Sequence, residues 1–169
     1  IIDQFEKIGG KYVKTATVGE PFLDRNFYDP FKNNPLKSKY PLIDYANKKG
    51  IYWTSFSNLV CINSNIAGEL YEKDVSLIGK LNSLNPDIHG KLCGDTKFFE
   101  RKYWVKHKKW FIPKYIKELI DVGFTNINEN FTRLGVDIIV TKLNYKDIPK
   151  VVEFCLENNI YPDIETLEI

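Results

Sequence analysis

Short apolar runs and amphipathic stretches take turns along the chain, and this pattern predicts strands that alternate with helices. The strand-like runs are rich in β-branched and aromatic residues, whereas the stretches between them place apolar residues at helical spacing. The predicted strands are Lys11–Thr17, Ile51–Phe56, Val75–Leu81, Val136–Thr141 and a last one that starts near Ile160. The predicted helices are one that ends at Gly9-Gly10, Leu36–Lys49, one capped by Asn63 or Ser64, a short one after Asn85-Pro86-Asp87, Ile112–Val122 and Ile148–Asn158.

This order of elements predicts an α/β fold. Strands that alternate with helices along a chain usually run parallel and are joined by right-handed crossovers. Either a (β/α) barrel or an open, doubly wound sheet satisfies the pattern. Both architectures gather ligand sites at the carboxyl ends of their strands, so the residues directly after each predicted strand are the candidates for function.

Two of these strand exits carry short polar groups. Gly19-Glu20-Pro21 follows the first strand, where glycine allows a ligand to approach the backbone and proline stiffens the exit. Backbone carbonyls at such a turn can accept hydrogen bonds from an ammonium group, with Glu20 paired nearby. Ser57 and Asn58 follow the second strand, where they can cap the backbone or contact a ligand. Taken alone, each of these segments is also typical of an ordinary turn.

The third and fourth strand exits add a cation and two amides. Alternation along a strand puts Lys80 and Asn82 on one face, and burying them without a partner would be costly. A ligand carboxylate, a ribose hydroxyl or an acid such as Glu20 would satisfy them. Asn144 follows the fourth strand and can cap or contact, while Asp147 is the candidate N-cap of the next helix.

Composition narrows the function classes. The 169 residues suit one domain, and 24 basic against 22 acidic residues leave a formal charge of +2, which gives no strong attraction to nucleic acid. The apolar runs are of strand length, so no membrane partner is expected. Cys61, Cys93 and Cys155 are odd in number and far apart, which favours a reducing cytosol, small buried hydrophobes and no metal site. His89 and His107 are expected at the surface.

The strand exits together resemble the radical S-adenosylmethionine (radical SAM) superfamily, in the branch of the molybdenum-cofactor biosynthesis cyclase. The third exit, from Gly79 to Asp87 and on through Leu92-Cys93-Gly94, is similar to that branch's Ser-Leu-Asp-Ser-Leu strand end and the helix after it. Three further segments follow in family order: Val18–Leu23 resembles Gly-Gly-Glu-Pro-Leu-Leu, Ser57-Asn58 resembles Thr-Asn-Gly, and Val140–Asn144 with Asp147-Ile148-Pro149 resembles a later Asn-x-x-Glu-Ile exit. Val18 and Lys80 depart from the family's glycine and serine.

The resemblance implies a partial (β/α) barrel of parallel strands with outer helices, an incomplete TIM barrel. Residues 1–169 would form a single such domain that is cut at both ends. The family's cofactors are S-adenosylmethionine (SAM) and a [4Fe-4S] cluster, whose Cys-x3-Cys-x2-Cys loop would precede this chain, so no metal ligand is assigned here. The SAM-binding candidates are Gly19, Glu20, Pro21, Ser57, Asn58, Lys80, Asn82 and Asn144.

The complete protein would then be a cytoplasmic enzyme that reductively cleaves SAM to a 5′-deoxyadenosyl radical. That radical would abstract hydrogen from a small-molecule or peptide substrate, and an electron donor would reduce the cluster. The resemblance implies that Gly19 and Glu20 would lie on the side of the SAM amino group, with Lys80 and Asn82 as candidates for its carboxylate or ribose, or for the substrate. The chain by itself is expected to be inactive and to bind SAM poorly.

Two other interpretations remain open. The chain is a barrel remnant that lost the cluster and works as a binding or scaffold module, or it is an unrelated α/β domain that binds a nucleotide or sugar. The radical SAM interpretation requires Gly19, Ser57, Lys80 and Asn144 at one rim of a curved parallel sheet. The aromatic, lysine-rich insertion at Lys97–Trp110 either covers the mouth of the barrel or, as we favour, docks onto neighbouring helices.

Overall fold

The computed structural model of the chain describes residues 1–15, 19–24, 26–28, 40–94, 100–127 and 132–166. Within these ranges, strands and helices alternate as the sequence predicts, except for an added hairpin of two strands, β4 and β5. The strands are β1 (Tyr12–Thr15), β2 (Tyr52–Ser57), β3 (Val75–Lys80), β4 (Trp104–His107), β5 (Trp110–Pro113), β6 (Leu134–Val140) and β7 (Tyr161–Thr166). The helices are α1 (Ile2–Lys7), α2 (Pro41–Asn47), α3 (Ser64–Glu72), α4 (Pro86–Leu92), α5 (Lys114–Val122) and α6 (Ile148–Glu157).

Five of the strands form one parallel sheet in the order β1-β2-β3-β6-β7. The order of the strands across the sheet follows their order along the chain, without a reversal. The sheet curls into a half-barrel flanked by helices. A doubly wound sheet would reverse its strand order at a switch point, and this sheet does not. The predicted α/β architecture of parallel strands with outer helices is thus confirmed.

The core lies between the convex face of the sheet and the helices. Val75 and Leu77 of β3 and Val136 and Ile138 of β6 are fully buried there, while the residues between them on β3 are only half-buried. This alternation is the period of two expected for a strand with one covered face. The covered face packs against α2, α3 and α6, and α5 packs on α3 and the β4–β5 hairpin, which leaves the concave face of the half-barrel for ligands.

The concave face is partly open and carries aromatic and charged side chains. The rings of Tyr12 and Tyr52 stack with their centroids 5.5 Å apart, and Lys14 Nζ lies 4.4 Å from the centroid of the Phe56 ring. A cavity of about 520 Å³ occupies the amino-terminal half of this face. It is lined by Tyr12, Tyr52, Thr54, Asp74, Ser76, Leu77, Ile78, Thr132, Arg133, Leu134, Gly135 and Tyr161.

The insertion after α4 contains an antiparallel hairpin, β4–β5, that packs on the outer helices. The Trp104 ring lies edge-on to His89 of α4, and the Trp110 ring lies edge-on to Phe154 of α6. Lys109 adds ion pairs to two glutamates of α6. The favoured interpretation of the insertion, docking by its aromatics, is therefore confirmed for residues 100–110, whereas Lys97, Phe98 and Phe99 lie outside the described residues.

Several predicted boundaries shift. Helix α5 begins at Lys114 and not at Ile112, because Ile112 and Pro113 pair with β4. Helix α2 begins at Pro41, and the predicted residues 36–39 lie outside the described part of the chain, as do residues 16–18 at the end of β1 and 128–131 before β6. None of the helices in the described ranges is long and apolar enough to cross a bilayer.

A close contact between Gly79 and Leu59 fixes the loop that leaves β2. Leu59 has a positive φ of 62° and is fully buried, and it packs directly on the backbone of β3. A Cβ added at Gly79 would meet Leu59 Cδ1 at 2.1 Å. Glycine at position 79 thus allows the loop after β2 to pack closely on β3. This packing fixes the position of Ser57 and Asn58, the two polar residues directly before Leu59.

We expect Gly79→Ala to lower the free energy of unfolding by about 1–3 kcal/mol, because the new methyl group overpacks Leu59. Gly68→Ala is the matched control. Gly68 lies in α3 with nothing within 4 Å of an added Cβ, so alanine should raise stability by about 0.5–1 kcal/mol through the lost entropy of the unfolded chain. Urea unfolding of both variants checks the prediction, and equal effects at the two sites would contradict the packing described above.

Candidate functional site at the carboxyl rim of the sheet

A cavity of about 340 Å³ lies at the carboxyl ends of the strands. We call it the rim cavity. Its lining residues are Gly19, Glu20, Phe56, Ser57, Asn58, Ile78, Lys80 and Asp137. Five of the eight predicted site residues therefore line one cavity, as the convergence of parallel strand ends requires. The other three, Pro21, Asn82 and Asn144, lie next to it and have structural contacts of their own.

The carboxylate of Glu20 ties the exit of β1 to the exit of β2. Its Oε1 accepts a hydrogen bond from the Ser57 hydroxyl at 2.8 Å, and its Oε2 accepts one from the Asn58 backbone N–H at 2.7 Å. Oε1 also accepts from the Phe22 N–H at 3.2 Å, so Glu20 caps the short 3-10 helix Pro21–Leu23. All three donors are neutral, and the negative charge of Glu20 therefore remains in the rim cavity without a counter-charge from these contacts.

Gly19 leaves the backbone beside Glu20 accessible. Its φ is 120°, a conformation that side chains rarely adopt, and nothing lies within 4 Å of the position that a Cβ would take. Ser57 is fixed from two sides, since its hydroxyl donates to Glu20 and accepts from the Leu59 N–H at 2.9 Å. The β1 and β2 exits thus form one rigid wall with an open backbone patch.

Lys80 and Asp137 form an ion pair across adjacent strands. They are register partners on β3 and β6, and Lys80 Nζ donates to Asp137 Oδ2. The Lys80 side chain is 31% exposed and that of Asp137 only 9%. Of the partners expected for Lys80, a ligand carboxylate, a ribose hydroxyl or an acid such as Glu20, the structure shows an acid of the chain itself, which is Asp137 and not Glu20.

Asp137 was missed by the strand-exit argument because it lies inside a strand. The segment Leu134–Val140 is apolar except for this one carboxylate, which is 6% exposed. A lone charge in an otherwise buried strand is expensive unless something pairs with it. The single carboxylate in this apolar strand was the feature of the sequence that could have identified Asp137, which lines the same rim cavity as the strand exits.

Asn82 and Asn144 hold the rim together and do not line the cavity. Asn82 is 2% exposed, and its Oδ1 accepts from the Ile139 N–H at 2.9 Å. Asn144 is fully buried: its Nδ2 donates to the Asn82 carbonyl at 2.7 Å and the Ile139 carbonyl at 2.9 Å, and its Oδ1 accepts from the Thr141 N–H. The expectation that Asn82 shares the mouth with Lys80 fails because β3 ends at Lys80, after which strand alternation no longer applies.

Asp147 is the N-cap residue of α6, as the sequence predicts, but its side chain has another role. It occupies the N-cap position but makes no capping hydrogen bond. Its Oδ2 instead accepts from the Ser83 hydroxyl at 2.6 Å, which joins the exits of β3 and β6. Asn63 caps α3, one of the two caps expected there, and Asn85 caps α4.

A buried histidine supports the β3 exit from behind, although His89 was expected at the surface. His89 is fully buried, and its Nδ1 accepts from the Asn82 N–H at 3.2 Å. That bond leaves the proton on Nε2, which donates to the Tyr115 hydroxyl at 3.1 Å, and Tyr115 donates to the Lys80 carbonyl at 3.3 Å. Burial, and secondarily the Lys80 charge, lowers the pKa of His89 to about 4, so the ring is neutral at pH 7.

The cysteines give no metal site in the described part of the chain. Cys155 is buried and Cys93 half-buried, which fits their prediction as small hydrophobes, but Cys61 is exposed and corrects it. Burial raises the pKa of Cys93 to about 11 and that of Cys155 to about 12. Among the residues that the structure describes, no three His, Cys, Asp or Glu side chains lie close enough to hold a metal ion.

We expect Glu20→Ala to detach the two strand exits from each other. The Asn58 and Phe22 amides lose their acceptor, so their hydrogen-exchange protection should fall sharply and the free energy of unfolding should drop by about 1–3 kcal/mol. Glu118→Ala, which removes a helix-surface carboxylate 3.7 Å from Lys114, should leave both amides protected. If the hydrogen-exchange rate of the Asn58 amide were unchanged in Glu20→Ala, the hydrogen bond between Glu20 and Asn58 described above would be contradicted.

His89 makes stability depend on pH. Its pKa is about 4 in the folded chain against 6.5 as the reference, so the unfolded chain binds more protons between these values and stability falls as pH decreases through that window. The loss from this group at pH 5 relative to pH 7.5 is about 2 kcal/mol by linkage. His89→Asn should remove this part of the difference in urea unfolding, whereas His107→Asn should retain it. An identical pH difference in wild type and His89→Asn would rule out the buried neutral ring.

A scan against protein-family models finds no match, and a search of curated proteins finds no similar sequence. The rim cavity and its side chains are therefore the ground on which a function can be proposed.

Proposed function

We propose that this chain is the SAM-binding half of a radical SAM barrel. The observation that carries the proposal is the rim cavity, where the Glu20 carboxylate joins the exits of β1 and β2 beside the Lys80–Asp137 pair. In the family that the sequence resembles, the glycine–glutamate segment after one strand contacts the SAM amino group. Here that segment lies at the carboxyl rim of a parallel half-barrel, which is the position that such a contact requires.

The geometry fits a zwitterionic, sulfonium-bearing nucleoside in three respects. The Glu20 carboxylate has no cationic partner among the residues that the structure describes, and together with the open backbone at Gly19 it favours an ammonium group on one side of the cavity. The Lys80 ammonium has only one hydrogen-bond acceptor among the described residues, so its remaining N–H groups are available to a carboxylate or a ribose oxygen on the other side. Ile78 and Phe56 supply the apolar wall between them.

The concave face offers room for two ligands. Ile78 lines both the rim cavity and the larger cavity towards the amino ends of the strands, so the two spaces adjoin. Each volume lies in the range common for small-molecule sites. We place the cofactor at the rim and a small-molecule or peptide substrate alongside it on the concave face.

The cluster is not held by the described residues. The three cysteines are spread over a loop, the end of α4 and the core of α6, and the proposal requires a Cys-x3-Cys-x2-Cys segment outside these 169 residues. When bound, the reduced [4Fe-4S] cluster supplies the electron that cleaves SAM, and an electron donor must serve it. The residues of this chain bind and orient the nucleoside at the rim. The neutral His89 ring, hydrogen-bonded to Asn82 and Tyr115, supports the backbone at Lys80 without adding a charge.

The test uses the full-length protein from the source gene, purified without oxygen and reconstituted with iron and sulfide. We expect a cluster absorption band and, with a chemical reductant, release of 5′-deoxyadenosine and methionine. Glu20→Ala should lower cleavage at limiting SAM by about tenfold or more, since a charge-assisted contact is lost, and Glu118→Ala should not. The 169-residue chain alone should show no cleavage and only weak SAM binding by calorimetry.

Two outcomes would contradict the proposal in different ways. A full-length sequence without the cysteine triplet, or a protein that takes up no cluster, would favour a barrel remnant that binds ligands without radical chemistry. A chain whose Glu20→Ala variant binds SAM as the unchanged chain does would remove the rim cavity as the cofactor site and favour an unrelated α/β binding domain.

A further inference from the structure

Asp137 carries an oxygen that the described residues leave without a hydrogen-bond partner. Its Oδ2 accepts a hydrogen bond from Lys80, whereas its Oδ1 is buried and has no partner among these residues. The side chain as a whole is only 9% exposed. Buried polar atoms are almost always hydrogen-bonded, and an unpaired carboxylate oxygen is among the costly exceptions. Because Asp137 lies on the concave face beside the rim cavity, the missing donor is to be sought in a molecule bound on that face.

The surroundings of Asp137 on the concave face are acidic. Parallel register sets Asp163 of β7 beside Asp137 and Glu165 beside Ile139, and register partners point to the same face. Glu20 adds a fourth carboxylate at the rim. In the described part of the chain, the cations on this face near the rim are Lys80, which is already paired with Asp137, and Lys14, whose ammonium lies over the Phe56 ring. Arg133 lies at the opposite, amino-terminal end, where it donates to three backbone carbonyls.

We propose that the concave face binds a ligand with a cationic nitrogen, a primary amine or a guanidinium, and that Asp137 Oδ1 accepts its hydrogen bond. A cation satisfies both the unpaired oxygen and the excess of negative charge, whereas a neutral hydroxyl would satisfy only the first. A metal ion is a poorer occupant, since no three of these acids lie close enough to one another in the described structure. Lys80 is a positioning residue that holds the carboxylate by its other oxygen.

As a statement about substrate, this inference rests on the proposed function, and it then assigns the substrate a lysine-like or arginine-like group. As a statement about binding, it needs neither a cluster nor SAM. The two therefore fail separately: loss of cluster uptake leaves the amine site intact, and absence of amine binding leaves SAM cleavage untouched.

The experiment titrates the 169-residue chain with Nα-acetyl-lysine amide and Nα-acetyl-norleucine amide while following ¹⁵N–¹H NMR shifts. The two probes have closely matched shapes and differ mainly in the cationic nitrogen. We expect saturable shifts around Asp137, Gly135 and Lys80 with the lysine probe only. Asp137→Asn should weaken this binding by about tenfold or more, while Asp121→Asn, a change on the outer surface of α5, should not alter it.

Lys80→Met serves as a second variant in case Asp137→Asn does not fold. It frees both oxygens of Asp137, so binding of the lysine probe should be kept or strengthened. The inference is overturned if the lysine probe causes no saturable shifts, if norleucine amide binds equally well, if folded Asp137→Asn binds as the unchanged chain does, or if folded Lys80→Met loses binding.

Discussion

Parallel pairing in a single direction is the constraint on which the rest of the molecule depends. Because β1, β2, β3, β6 and β7 follow one another without reversal, every strand delivers its last residues to the same rim. The chain uses this geometry by placing a carboxylate, Glu20, where it can bind the neighbouring exit through the Ser57 hydroxyl and the Asn58 amide. The rim is thus built by hydrogen bonds between loops, and the sheet determines which loops can meet.

A second layer of polar contacts keeps the rim rigid on the β3–β6 side. Asn144 and Asn82 bridge the two strand exits, and the Ser83 hydroxyl donates to Asp147. The neutral His89 ring accepts a hydrogen bond from the Asn82 N–H and donates one to the Tyr115 hydroxyl. Each of these groups is buried or partly buried, and its hydrogen-bond partners named here belong to the protein itself. The Glu20 carboxylate and the Lys80–Asp137 pair, by contrast, line the rim cavity, which is why the candidate chemistry concentrates there.

The sequence predicted the strands and most helices because their apolar periodicity is strong, and it located the rim because parallel strands must end together. It placed Gly19, Glu20, Ser57, Asn58 and Lys80 in one cavity without coordinates. It failed where a local rule stops. Alternation could not place Asn82 beyond the end of β3, and polarity suggested exposure for His89. The hairpin strands β4 and β5 lie in a charged, aromatic stretch without a clear alternation, and they were missed. Asp137 shows the complementary case, in which a residue that violates the pattern of its strand marks the site.

A crystal structure of the reconstituted full-length protein with SAM tests the central claim most directly. The account predicts the nucleoside in the rim cavity, its amino-acid end within hydrogen-bonding distance of Gly19 and Glu20, and the Lys80–Asp137 pair beside it. A nucleoside bound elsewhere, or a rim cavity filled by another segment of the protein's own chain, would contradict it.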